Sequence, residues 1–145
     1  MSRPTTQDQT PGGQPDYFGL DIPFMASIGL VPEHLSTELA RTRMPHRPDL
    51  VNSRGDVHGG ALMSALDFTL SAAARAHEAN TGMATIDMTT HFMAPARGTV
   101  IFEARCLRIG GSLAFCEGQA RDEEGKLLAT ASATFKIVRN KPGSD

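Results

Sequence analysis

Between Asn52 and Asp67 the chain reads NSRGDVHGGALMSALD, which gathers Asn52, His58, Gly59, Gly60 and Asp67 within a short stretch. Gly59 and Gly60 leave room for a ligand beside the backbone, and a helix starting there would aim its first amide N–H groups at that ligand. Such a place suits a carbonyl oxygen or an anion. A developing oxyanion gains more from those donors than a neutral carbonyl does, which is how a helix start becomes catalytic. Each residue also has a purely structural reading. The glycine pair permits tight entrance into a helix packed on a sheet, His58 can bond to a loop carbonyl, and Asn52 can close an Asx turn.

Asp67 carries more information, because it is the one formal charge between Gly59 and Arg75 and sits among Leu66, Phe68 and Leu70. Apolar surroundings strengthen a carboxylate as a proton acceptor, provided that a hydrogen bond keeps it ionised. His58 and Asp67 are nine positions apart. On one helix that is about 13 Å along the axis and nearly half a turn in azimuth. The two cannot easily grip one small reactive group from the same chain. Two antiparallel copies of the helix across a two-fold axis would bring Asp67 of one beside His58 and Gly59 of the other, so a site using both is shared between subunits.

Supporting groups are less sharply marked. Ser71 lies one helical turn beyond Asp67 and could orient it, although a small residue there also serves close packing. Thr85, Asp87 and His91 alternate along the next apolar segment, where one could line a pocket and all could face solvent. His91 ahead of FMAP invites a dehydratase reading, but no neighbouring spacing specifies the second acid or base that such chemistry needs. Arg97, Arg105 and Arg108 could contact phosphates of a bulky substrate or form a solvated edge. Phe68, Met88 and Phe92 are candidate pocket walls and equally candidate core residues.

The elements that must position these groups follow from periodicity. ALMSALDFTLSAAARAHEA, opening near Gly59, favours a helix of about 20 residues and roughly 30 Å, with Asn80 and Gly82 as stop signals. From Ala84 the period changes to two, with Thr85, Asp87, Thr89 and His91 alternating against Ala84, Ile86, Met88, Thr90 and Phe92. Pro95 and Gly98, then Gly110 and Gly111, then DEEGK around Gly125 turn the chain through three more strands, TVIFEARCLRI, SLAFCEGQAR and LLATASATFKIV. Earlier, Asp21 and Pro23 can cap and start a short helix through PFMASI that Gly29 ends, and residues 35–44 read as a first strand. Four successive strands in hairpin connection must hide one apolar face, and only the long helix is large enough to cover it. The fold class is therefore α+β.

Length and composition bound the rest. The 145 residues, 40% of them hydrophobic, make one domain with a sizeable core. Residues 1–17, rich in Thr, Gln, Pro and Gly, and 139–145 are expected to be flexible tails around a domain at 18–138. Fourteen basic against sixteen acidic residues give a formal charge of -2. That balance argues against a general nucleic-acid or anionic-membrane binder. Cys106 and Cys116 suit neither a disulfide scaffold nor a metal motif. No apolar run follows the N-terminal arginine, so a cytoplasmic protein is expected, without a signal peptide or membrane anchor.

NSRGDVHGGALMSALD resembles the signature of hot-dog-fold acyl-CoA thioesterases, specifically the group associated with phenylacetate degradation and its 4-hydroxybenzoyl-CoA thioesterase relatives. The likeness runs from about Phe18 to Val138 and includes TIDMTTHFMAPARG, the Gly110-Gly111 turn and DEEGKLLATASATF. It implies a long helix wrapped by an antiparallel sheet, sheets joined between two subunits, and sites between them, commonly in a dimer of dimers. By resemblance Asp67 is the catalytic carboxylate, as nucleophile or as general base for water. Gly59 donates to the thioester carbonyl with His58 beside it, Asn52 positions water or substrate, and Ser71 and Thr85 are supporting hydroxyls.

The implied reaction is hydrolysis of an acyl-CoA, with a small, medium or aromatic acyl group, to an acid and free CoA. Substrate contacts are expected from Gly60, Phe68, Met88, Phe92, Arg97, Arg108, Gly110 and Gly111. Neither metal nor cofactor is required, coenzyme A being part of the substrate. The competing expectations are a hot-dog hydratase or dehydratase and a noncatalytic acyl-CoA-binding protein.

Overall fold

The computed structural model describes residues 16–139. Two helices and six strands follow one another: α1 (Pro23–Ser27), β1 (Val31–Leu35), β2 (Ala40–Met44), a 3-10 turn (Pro48–Leu50), α2 (Gly59–Arg75), β3 (Thr81–Phe92), β4 (Val100–Ile109), β5 (Leu113–Asp122) and β6 (Leu127–Arg139). The strands form one antiparallel sheet in the order β1-β2-β4-β5-β6-β3. The sheet curves around α2, which packs against β2, β3, β4, β5 and β6. This is the α+β hot-dog arrangement that the sequence suggested.

Helix α2 starts where His58 Nδ1 accepts a 2.8 Å bond from the Gly60 N–H, satisfying one donor that the first turn cannot use internally. It ends at Arg75, earlier than Asn80 and Gly82 suggested. Arg75 is a cation in the last turn, where the helix dipole favours it, and its guanidinium donates to the carbonyls of Thr81 and Phe18. Asn80 takes a left-handed conformation (φ 63°) in the turn, and Gly82 belongs to β3.

A row of small residues lets the helix approach closely. Ala40, Ala104, Gly118 and Ala131 are register partners across β2, β4, β5 and β6. A Cβ on Gly118 would stand 2.8 Å from the Glu103 carbonyl oxygen and 3.2 Å from Leu70 Cδ2, so only glycine fits beneath Leu70. Thr42 and Thr69 fasten helix to sheet with a buried 2.8 Å hydrogen bond. Thr69 already donates to the Ala65 carbonyl, so Thr42 is the donor.

Several sequence expectations shift. Residues 35–44 are not one strand: β1 and β2 are separate, joined by a turn in which Ser36 and Leu39 bond to each other. Asp21 does not cap α1, whose N-cap is Ile22 without a side-chain bond, whereas Gly29 (φ +73°) does end it. The strands from β3 onward are not a simple meander. β3 crosses to pair with β6 at the sheet's edge, because α2 must lie over the sheet centre before β4 enters beside β2. Tyr17, read as tail, is fully buried with its hydroxyl on the Leu30 carbonyl, and Arg139 closes β6 in an ion pair with Glu78. Asp16 accepts a bond from the Gly19 N–H, and tail residues 1–15 and 140–145 lie outside the described residues. Cys106 and Cys116 are free and face each other across β4 and β5, where burial and the neighbouring Cys106 push the Cys116 thiol up. No described helix is long and apolar enough to cross a membrane.

Candidate active site

Asp67 is half-buried on α2, and its Oδ1 accepts a 2.8 Å hydrogen bond from the Thr85 hydroxyl of β3. A bulge makes this contact. Thr85 pairs with Phe135 and Asp87 with Thr134, which leaves Ile86 as an extra residue. Directly opposed residues share a face of a sheet. Thr85, Met88, Thr90 and Phe92 oppose Phe135, Ala133, Ala131 and Ala129, all buried under the helix. Asp87, Thr89 and His91 oppose Thr134, Ser132 and Thr130 on the outer face. The expectation that Thr85, Asp87 and His91 share a face is therefore corrected, because the bulge reverses the alternation between Thr85 and Asp87.

The helix start forms a second cluster. Gly59 opens α2, and among the described residues its N–H has no hydrogen-bond acceptor. A Cβ there would stand 3.3 Å from the Phe92 ring, so the ring sits directly over this glycine. His58 is the N-cap; because Nδ1 accepts from Gly60, the proton of the neutral ring belongs on Nε2. Asn52 Oδ1 accepts from the Arg54 and Asp56 amides at 2.9 and 3.1 Å, the Asx-type turn that its residue type allowed. Its side-chain amide nitrogen is the end left for a ligand.

Asp56, which sequence reasoning passed over, holds this loop in place. It is largely buried, with Arg97 Nε at 2.9 Å and Arg54 Nε at 3.7 Å, while the Val57 N–H donates to the Ala96 carbonyl. Arg54 two residues before it was the available signal, but its closer partner Arg97 is 41 residues away. Arg97 thus anchors a loop, with its exposed guanidinium still at the surface.

Other predicted residues lie apart. Ser71 donates to the Phe68 carbonyl at 2.9 Å, so its hydroxyl is spent within the helix. Phe68 is no exposed wall: it is buried, edge-on to Tyr17 (5.6 Å between centroids) and stacked on Phe18 (5.9 Å). Met88 packs partly buried against the core, and Phe92 is half-exposed. Arg108 is exposed on the outer face, opposite Phe115. Gly110 and Gly111 turn β4 into β5, with the Gly111 carbonyl accepting from Arg139.

Two cavities flank these clusters. The larger, about 460 Å³, is a polar groove on the outer face lined by Thr89, His91, Glu103, Arg105 and Glu117, and Asp67 is not among its walls. The smaller, about 220 Å³, opens beside His58 and Gly60. Among the described residues no three His, Cys, Asp or Glu side chains gather in a metal-binding cluster.

The two clusters stand on one continuous helix, eight residues from Gly59 to Asp67, about 12 Å along its axis. Within one protomer, then, an acceptor carboxylate and an unoccupied amide donor are separated rather than assembled.

Comparison with known proteins adds a family. Residues 54–129 match the pattern of the thioesterase superfamily. The medium/long-chain acyl-CoA thioesterase YigI of Escherichia coli is 25% identical, over 94% of this chain and 99% of its own length. Among solved structures, the conserved protein PA5202 from Pseudomonas aeruginosa aligns with a TM-score of 0.76 at 29% identity, covering 79% of this chain and 93% of that one. The phenylacetic acid degradation protein PaaI from Thermus thermophilus shares the fold, with a TM-score of 0.73 at 23% identity over 79% of this chain and 98% of its own.

Proposed function

The chain belongs to the thioesterase superfamily, whose chemistry is hydrolysis of acyl thioesters, and from that premise we propose how this protein performs it and on what. The substrate is an acyl-CoA with a small, medium or aromatic acyl group, cleaved in the cytoplasm to a carboxylic acid and free CoA. The site is built by two protomers. Its thioester carbonyl lies against the Gly59 N–H of one, and Asp67 of the other activates water or attacks the carbonyl carbon.

The observation that carries this reading is the split of donor and carboxylate along α2. A single protomer offers a free amide at Gly59 and a hydroxyl-tethered carboxylate at Asp67, about 12 Å apart along the helix axis. A two-fold axis beside β3 supplies the missing half of each site. Among the described residues β3 is an edge strand, paired only with β6, and carries exposed Ile86 (55%) and Phe92 (52%). An unpaired edge with apolar side chains favours pairing with a second β3. A dimer of dimers would follow from further contacts between such pairs.

As the carbonyl carbon becomes tetrahedral, its oxygen takes negative charge and gains from the Gly59 amide and the positive end of α2. Thr85 fixes Asp67 through Oδ1 and leaves Oδ2 for the reacting water or carbonyl carbon. The water's oxygen ends in the acid, and the thiolate leaves and takes up a proton. His58 Nε2–H and the Asn52 amide are donors at the partner's end of the site. His91, on the outer face opposite Thr130, does not join this constellation.

The test is a panel of saturated, unsaturated and aromatic acyl-CoAs with free-thiol detection. Thiol release that depends on Asp67 supports the reading. Retained thioester with a change at a double bond supports a hydratase, and binding without release supports a noncatalytic protein.

A further inference from the structure

We infer that the cavity between α1, the 3-10 turn and the first two turns of α2 is the acyl-group pocket, that it takes a short, neutral, hydrocarbon or single-ring acyl group, and that Phe24 sets its depth. This deepens the thioesterase reading and rests on it. Phe24, Ile28, Leu50, Val51 and Ala61 give the cavity hydrocarbon walls. His58 and Gly60, which flank the free Gly59 amide, line it as well. A carbonyl held at Gly59 therefore has a largely apolar cleft adjoining it.

The occupant follows from chemistry and size. The two arms of an acyl-CoA thioester are the acyl group and a pantetheine arm carrying two amides. Those amides would lose water against hydrocarbon walls without partners, a cost that an alkyl or aryl group avoids. The cavity measures about 220 Å³. That is below the roughly 300–1,000 Å³ of sites for drug-sized ligands and above the about 150 Å³ apolar cavity that admits benzene. Asp49 at the rim is bound to Arg47 through both carboxylate oxygens, at 2.9 and 3.0 Å, so the pair is neutral and Arg47 offers no unpaired cation to an acyl group ending in a carboxylate.

The walls are held in place. Arg47 also donates to the Ser27 carbonyl at the end of α1. A Cβ at Gly29 would stand 2.9 Å from the Arg47 guanidinium, so the glycine lets that clamp close. Phe24 is 56% exposed, so its ring walls the cleft at the surface rather than supporting the core.

The experiment compares wild type, Phe24→Ala and Ala61→Leu on straight-chain acyl-CoAs of increasing length and on benzoyl- and phenylacetyl-CoA, measuring kcat and KM. Matching non-hydrolysable acyl-CoA thioethers are titrated in parallel. Phe24→Ala is expected to raise kcat/KM for longer chains relative to short ones by about tenfold or more, and Ala61→Leu to shorten the preferred chain, magnitudes typical of one or two methylenes in a hydrophobic pocket. Hydrolysis with an unchanged length profile in both variants overturns the pocket. So does a KM that rises equally for every chain length with Ala61→Leu, which would put pantetheine there. If wild type hydrolyses none of the thioesters but thioether affinity shows a length limit that Phe24→Ala moves, the pocket stands and the thioesterase reading falls. Absence of any length limit in binding overturns the inference in either case.

Discussion

The Thr85 hydroxyl reaches across from β3 to donate a 2.8 Å hydrogen bond to Asp67 Oδ1 on α2, joining the only carboxylate of that helix to a strand bulge. The bond fixes one carboxylate oxygen and leaves the other free. Asp67→Asn is expected to fold and assemble as wild type but to lose thiol release by about 10²–10⁴-fold, the usual worth of a general base. Near-normal turnover in the folded variant would remove Asp67 from the chemistry. Thr85→Ala should cost about 10–100-fold, matching a hydrogen bond to a charged group, and Thr85→Ser should recover most of it. Equal loss in both would show that the methyl group, not the donor, matters.

A site divided between protomers makes a complementation experiment decisive. Asp67→Asn and His58→Ala subunits, each inactive alone, are mixed and allowed to exchange. About one quarter of wild-type activity should return, because half of the randomly formed dimers are mixed and each of those holds one intact site. No recovery after verified exchange would mean that each chain builds its own site. His58→Ala also deletes the N-cap of α2 and should lower stability by about 1 kcal/mol, so its folding is checked first.

Gly118 is the position where the sheet admits the helix. Gly118→Ala places a methyl group against the Glu103 carbonyl and Leu70, and neither backbone nor packed side chain yields easily. The expected loss is about 1–3 kcal/mol in chemical denaturation. Gly82→Ala, where a Cβ meets nothing within 4 Å, is the control and should change little.

Alkaline stability should depend on Tyr17. Burial pushes its phenol from 10.0 up to about 12. The folded state keeps the proton that the unfolded chain releases, so stability falls as pH rises from about 10 to about 12 and the dependence then levels off. Tyr17→Phe should lose about 1 kcal/mol at neutral pH with the bond to Leu30, yet decline less steeply in that alkaline window. Tyr17 is the chain's only tyrosine, so tyrosinate absorbance follows it directly. Ionisation near 10 in the folded protein would refute the assignment.

The sequence by itself determined the parts whose causes are local. The helix under ALMSALDFTLSAAAR, its start at the glycine pair, the strands after Gly98 and the isolation of Asp67 among apolar residues all follow from composition and periodicity over short spans. So does the separation of Gly59 from Asp67, since helical rise is fixed. Tertiary structure decided what depends on partners distant in the chain. It sent β3 to the edge beside β6, and it made Ile86 a bulge, which gives Thr85 rather than Ser71 the bond to Asp67. It also joined Asp56 to Arg97 and formed a cleft between α1 and α2. An apolar residue such as Ile86 fits the alternating pattern whether or not it is a bulge. Only the register against β6, set by packing under the helix, distinguishes the two.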